Sequence, residues 1–179
     1  KQVDKALNTP WLYVAGNHDL DFDAPDDAQS LETFRGEFGP DTFAWQEHAA
    51  NFVVLDDVIY LPGAKPAYIG GLREAQFRLL QSFLESADKA KLLVISAHIP
   101  FFQAAAGRET FRAADRKRLF EMLKPFRDVL LLSAHSHTQS HVRHGPATDW
   151  HGAGRLHEYN AGAACGGYWS GIKDAEGIP

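Results

Sequence analysis

A chain of 179 residues that is 45% hydrophobic and 23% charged has the balance of one globular domain with a buried core, which excludes disorder as a description of the whole. Eighteen basic against 23 acidic residues give a net charge of −5, a field that does not attract a phosphate backbone, so dedicated nucleic-acid binding is not expected. The single cysteine, Cys165, excludes an internal disulfide and a cysteine-rich zinc site, and the nine histidines leave imidazole and carboxylate as the ligand chemistry.

The elements follow in chain order. Trp11 to Ala15 is an apolar run with the pattern of a strand buried on both faces, and it ends in Gly16-Asn17-His18-Asp19. Phe43 to Trp45 and Phe52 to Leu55 suggest a hairpin around Ala49, Ala50 and Asn51, with Val58 to Tyr60 a third short strand. Phe77, Leu80 and Leu84 recur at helical spacing within a helix from about Arg73 to Ala87. Leu92 to Ala97 is a second buried strand, followed by His98. Ala113 to Leu123 is a second helix with Leu119, Phe120 and Leu123 inward, and Val129 to Ala134 a third buried strand ending in His135-Ser136-His137. From His141 the pattern changes to short strands with Gly-rich turns. No apolar run approaches the roughly 18 to 20 residues of a membrane helix.

Alternation of helix and strand implies crossover connections and a mainly parallel sheet, hence an α/β fold. In such a sheet the carboxyl ends of neighbouring strands open into one crevice, so Asn17, His98, His135 and His137 are expected to converge. One strand-ending histidine is usually a polar cap; three together point to a metal. Nitrogen and oxygen donors without thiolate suit Mn, Fe or Zn alike. His135 and His137, two apart in extended chain, face one side and either share an ion or bind one each.

Gly16-Asn17-His18-Asp19, the strand-His98 element and Ala134-His135-Ser136-His137, in this order, resemble the last three motifs of the calcineurin-like metallophosphoesterases. His157 to Ala163, through Trp169-Ser170-Gly171, is similar to the start of a C-terminal extension in a bacterial branch of that family. The resemblance implies a layered α/β/β/α sandwich and a hydrolase of phosphate mono- or diesters that uses two divalent metal ions. It also implies that Asn17, His98 and His135 bind one ion and His137 the other. His18 would be the acid that protonates the leaving oxygen, with Asp19 orienting its ring.

The family's earlier Asp-x-His and Gly-Asp blocks are not found in the sequence. The expectation is therefore a C-terminal part of a catalytic domain over 1–145, with the final strand region and the start of the extension over 146–179. The missing N-terminal part would be a partner in activity, the isolated chain should be poorly active, and exposed sheet edges should favour self-association. The bacterial branch implies a periplasmic or extracellular home. Alternatives are a non-catalytic binding or scaffold module of the same fold, or a mononuclear metallohydrolase of another family.

Other residues have plainer expectations. His135, His137 and His141 do not fit the His-x-His-x-Asp-His spacing of metallo-β-lactamases, so His141 and His144 are assigned to the surface or to support of the ligands. His157 either orients the centre or serves the tail structurally. Arg116, Lys117 and Arg118 are a charged helix face, and Phe101 to Phe111 a solvated loop that, as a lid, would bring Arg108 or Arg112 to a phosphate. Phe101, Phe102, Tyr168 and Trp169 are pocket-lining candidates, and Cys165 a small buried hydrophobe.

Overall fold

A computed structural model describes residues 11–102, 107–163 and 175. Cys165, Tyr168, Trp169 and the tail glycines from Gly166 onward lie outside these residues. Six strands form one sheet: β1 (Phe43–Gln46), β2 (Ala50–Val54), β5 (Leu92–Ser96), β6 (Asp128–Ser133), β8 (Arg155–Asn160) and β7 (Ser140–Arg143), in that spatial order. The central pairs β2–β5, β5–β6 and β6–β8 are parallel, and the edge pairs β1–β2 and β7–β8 antiparallel. β3 (Val58–Tyr60) and β4 (Tyr68–Gly70) pair separately. The mixed α/β class and the parallel centre are as expected. Because β8 inserts between β6 and β7, the sheet is continuous across the change of character near Gly145.

Helix α1 spans Glu32–Phe38, α2 Glu74–Ser86 and α3 Ala113–Leu123, the last two within a residue of the expected bounds. At the start of α2 the Gln76 side chain accepts the Arg73 N–H at 2.8 Å, and at its end Lys89 Nζ donates to the Leu84 and Ala87 carbonyls, where the helix dipole favours a cation. Phe77, Leu80 and Leu84 of α2 and Leu119, Phe120 and Leu123 of α3 join Leu93, Ile95, Val129, Leu131 and Leu156 of the strands in one core. Among the described residues no helix is long and apolar enough to cross a membrane.

Three expectations are corrected. Trp11 to Ala15 is not a strand: Trp11 and Leu12 are 42% and 58% exposed, because among the described residues no strand lies beside them to take their backbone hydrogen bonds. The hairpin turn is at 47–49, with Glu47 N–H bonded to the Ala50 carbonyl, so Ala50 and Asn51 lie within β2. Finally, β6 is not buried on both faces. Val129, Leu131 and Ser133 are buried and Leu130 and Leu132 half-buried, because α2 and α3 cover only the face that carries the first set. The charged face of α3 is also tied down: Arg116 pairs with Asp149 at 2.5 Å and Arg118 with Glu74 at 2.6 Å.

At the end of β2, Asp56 is buried beside Arg73, whose Nη1 is 2.6 Å away. Burial pushes the Asp56 carboxyl up to about 6, although Arg73 pulls it down. A carboxyl whose folded value exceeds its unfolded value binds more protons in the native state, so its contribution is fully present below about pH 4 and lost as pH rises through 6. Between those limits Asp56→Asn is expected to remove up to about 1.4 kcal/mol per pH unit of stability slope. Urea unfolding of both proteins from pH 4 to 7 measures this; parallel curves would contradict it.

Candidate metal centre

Backbone pairing places the two central candidate ligands. Beyond the ends of β5 and β6, Ala97 N–H bonds to the Leu132 carbonyl and Ala134 N–H to the His98 carbonyl, both at 2.9 Å, so His98 and His135 leave the sheet side by side. Asp57, fully buried after β2, accepts the His98 N–H on Oδ1 and the Ile99 N–H on Oδ2, each at 2.9 Å, and fixes the chain where it turns. Burial raises the Asp57 carboxyl well above its ordinary range, against those same N–H bonds.

Beyond β6, His135 and His137 have φ of 60° and 58°. Left-handed backbone is costly for residues other than glycine and persists only where the surroundings enforce it. Here Asn160, buried at the end of β8, donates to Ser133 Oγ at 3.0 Å and to the Ala134 carbonyl, and accepts from Ser136 Oγ. The expectation that His135 and His137 share a side as alternate strand residues is therefore corrected. Both lie in a turn beyond β6; His135 is half-buried and His137 exposed.

Asn17 arrives on a separate turn. Asp19 N–H bonds to the Gly16 carbonyl at 3.0 Å, and Asp19 Oδ2 accepts the Gly16 N–H at 2.8 Å. Asp19 thereby closes the turn that buries Asn17 and leaves His18 exposed. Gly16 packs on the His98 ring so closely that a Cβ there would lie 2.9 Å from Cε1 and Nδ1. Gly16→Ala is expected to displace the ring and weaken divalent-metal binding about tenfold while moving the melting temperature little. Calorimetric titration with Mn²⁺ measures the first effect; an unchanged affinity would show that the contact does not position His98.

Asn17 Oδ1, His98 Nε2 and His135 Nδ1 form a triangle with edges of 2.8, 3.0 and 3.1 Å. In the tautomers that carry the proton on His98 Nδ1 and His135 Nε2, all three atoms present lone pairs to one point. Octahedral donors bound at about 2.1 Å are separated by about 3.0 Å, so the triangle matches one face of such a site. Its chemistry also fits. Burial and the nearby His135, His18 and His137 rings lower His98 to about 4, and burial with His137, His18 and Arg108 lowers His135, so both imidazoles present lone pairs at neutral pH. Among the described residues no group of three or more His, Cys, Asp or Glu could hold a metal; this set is two histidines completed by an amide oxygen. The Tyr68 ring packs edge-on to His135, 5.8 Å between centroids.

The family model for calcineurin-like phosphoesterases matches residues 1–139, which include every one of these candidate ligands. The chain belongs to the calcineurin-like phosphoesterase family. Its members are hydrolases of phosphate esters that use divalent metals. No curated protein matches this calcineurin-like chain.

Two weaker expectations are settled by position. The His157 ring does not reach the centre: it pairs with Leu130 in register and bonds to His141 Nδ1 at 3.0 Å across β7 and β8. Phe101 and Phe102 line a pocket together with Gly107, Glu109, Thr110 and Phe111, as expected, and Phe101 is itself fully buried against Phe111 and Phe120. Asp57 and Asn160 were not anticipated. For Asp57 a signal existed, a charged pair inside the apolar run Phe52 to Tyr60; for Asn160 there was none, since its partners lie over 20 positions away.

Proposed function

We propose that this protein hydrolyses phosphate mono- or diesters at a divalent-metal centre in which Asn17, His98 and His135 hold one ion and His137 contributes to a second. The donor triangle carries this reading, because it brings an amide oxygen and two imidazole nitrogens from three separate segments to the spacing that a bound cation requires. A pair of divalent ions supplies charge neutralisation at the phosphoryl group and an activated water. The chain's own residues do the rest. His18, exposed beside the buried Asn17, gives a proton to the departing ester oxygen in this reading, and Asp19 holds its turn. The Asp-x-His and Gly-Asp blocks that the family resemblance assigns to the second ion are not found in this sequence, so the chain alone is expected to take up one ion per molecule.

The test is hydrolysis of p-nitrophenyl phosphate and bis(p-nitrophenyl) phosphate after chelation and after restoring Mn²⁺, Fe²⁺ or Zn²⁺, using the protein with its natural flanking sequence. Turnover lost on chelation, restored by metal and abolished in His135→Ala supports the proposal. Tight metal uptake without turnover on any ester would favour a binding or scaffold role.

A further inference from the structure

We propose that Glu158, clasped by His144 beneath the centre, is a positioning residue that sets the spacing of the two imidazole-bearing loops; this rests on the triangle being a metal site. Glu158 lies in β8 and is fully buried, an environment in which a carboxylate without partners is costly. Its oxygens are all engaged. Oε1 accepts from Ser133 Oγ at 2.5 Å and from the Phe101 N–H at 3.0 Å, while Oε2 bonds to His144 Nε2 at 2.8 Å.

Those partners are distributed in a telling way. Ser133 is two residues before His135, and Phe101 three residues after His98, so one carboxylate joins the two chain segments that present the imidazoles. His144, with no exposed side-chain surface, is fixed in turn by Thr148 Oγ1 at 3.2 Å from its Nδ1 and by the Phe120 ring edge-on at 5.1 Å. The β5–β6–β8 register already aligns the strands through backbone bonds, and apolar side chains would fill the same space without desolvating a carboxylate. What Glu158 adds is a side-chain tie from Ser133, the last residue of β6, to Phe101, which lies past the Ala97–Leu132 and Ala134–His98 backbone bonds that pair the two segments. A donor triangle of 2.8 to 3.1 Å edges depends on that tie.

Calorimetric Mn²⁺ titration and the visible spectrum of the Co²⁺-loaded chain, at a temperature where every variant is folded by circular dichroism, test this. Glu158→Ala is expected to weaken Mn²⁺ binding 10- to 100-fold and to alter the Co²⁺ bands, and Glu158→Gln, which keeps an acceptor for Ser133 and Phe101, to regain most of the affinity. Leu156→Ala, buried on the same strand, should lower the melting temperature with affinity and spectrum unchanged. Wild-type affinity and spectrum in Glu158→Ala would overturn the proposal, as would an equal loss in Leu156→Ala. His135→Ala separates the two layers: if it binds Mn²⁺ like wild type, the metal-site reading itself fails. Should Glu158→Ala not fold, Ser133→Ala decides, with several-fold weaker binding expected and wild-type binding contradicting.

Discussion

Replacing His98 by alanine should weaken Mn²⁺ binding at least 100-fold, about 2.7 kcal/mol, and abolish metal-dependent hydrolysis. Its Nε2 stands on two of the three triangle edges, at 2.8 Å from Asn17 Oδ1 and 3.1 Å from His135 Nδ1, so removing it leaves one amide oxygen and one imidazole. The fold should survive. The bonds by which Asp57 anchors this turn are to the backbone N–H groups of His98 and Ile99, which alanine retains. Paired calorimetric and thermal measurements separate the outcomes: lost binding with a near-wild-type melting temperature is expected, and undiminished binding would remove His98 from the site.

The largest loss of stability is expected from Phe120→Ala. The ring is fully buried on α3, with Phe101 at 6.4 Å, His144 at 5.1 Å and Trp150 at 6.1 Å between centroids, so truncation leaves a cavity whose aromatic walls come from three different segments. Such truncations cost about 3 to 5 kcal/mol. Against a total of roughly 5 to 15 kcal/mol for a domain, that moves the urea midpoint far down and can leave the protein partly unfolded at 37 °C. Leu92→Ala, at a position 37% exposed, should cost well under half as much. Similar losses at the two positions would show that the core is not centred on α3.

What could be read from the residues alone was whatever depends on short-range periodicity. Helical spacing at Phe77, Leu80 and Leu84 and at Leu119, Phe120 and Leu123 located α2 and α3 almost to the residue, because burial of one stripe against a sheet leaves that mark in any helix. The same logic failed at Trp11 to Ala15, where an apolar run has strand composition but no neighbour among the described residues to pair with. It also misjudged β6, since apolar side chains on an open face look the same in sequence as those under helices.

The site divides along the same line. His98 and His135 were legible because each follows an apolar run and parallel topology brings strand ends together; Asn17 also follows an apolar run but joins them from a turn, not from a strand end. The left-handed backbone of His135 and His137 was not, because it is imposed by Asn160 and Ser136 across space. Asp57 and Glu158 were hidden for a related reason. Each acts by accepting hydrogen bonds from backbone or hydroxyl groups over 20 positions away, and no local pattern encodes such a partner.

The central claim is that three donors carried by distant segments close on one ion. Anomalous diffraction at the manganese edge, from crystals of the chain equilibrated with Mn²⁺, tests it most directly. The account predicts a peak at bonding distance from Asn17 Oδ1, His98 Nε2 and His135 Nδ1 together; a peak elsewhere, or none at saturating Mn²⁺ with those side chains well ordered, would contradict it.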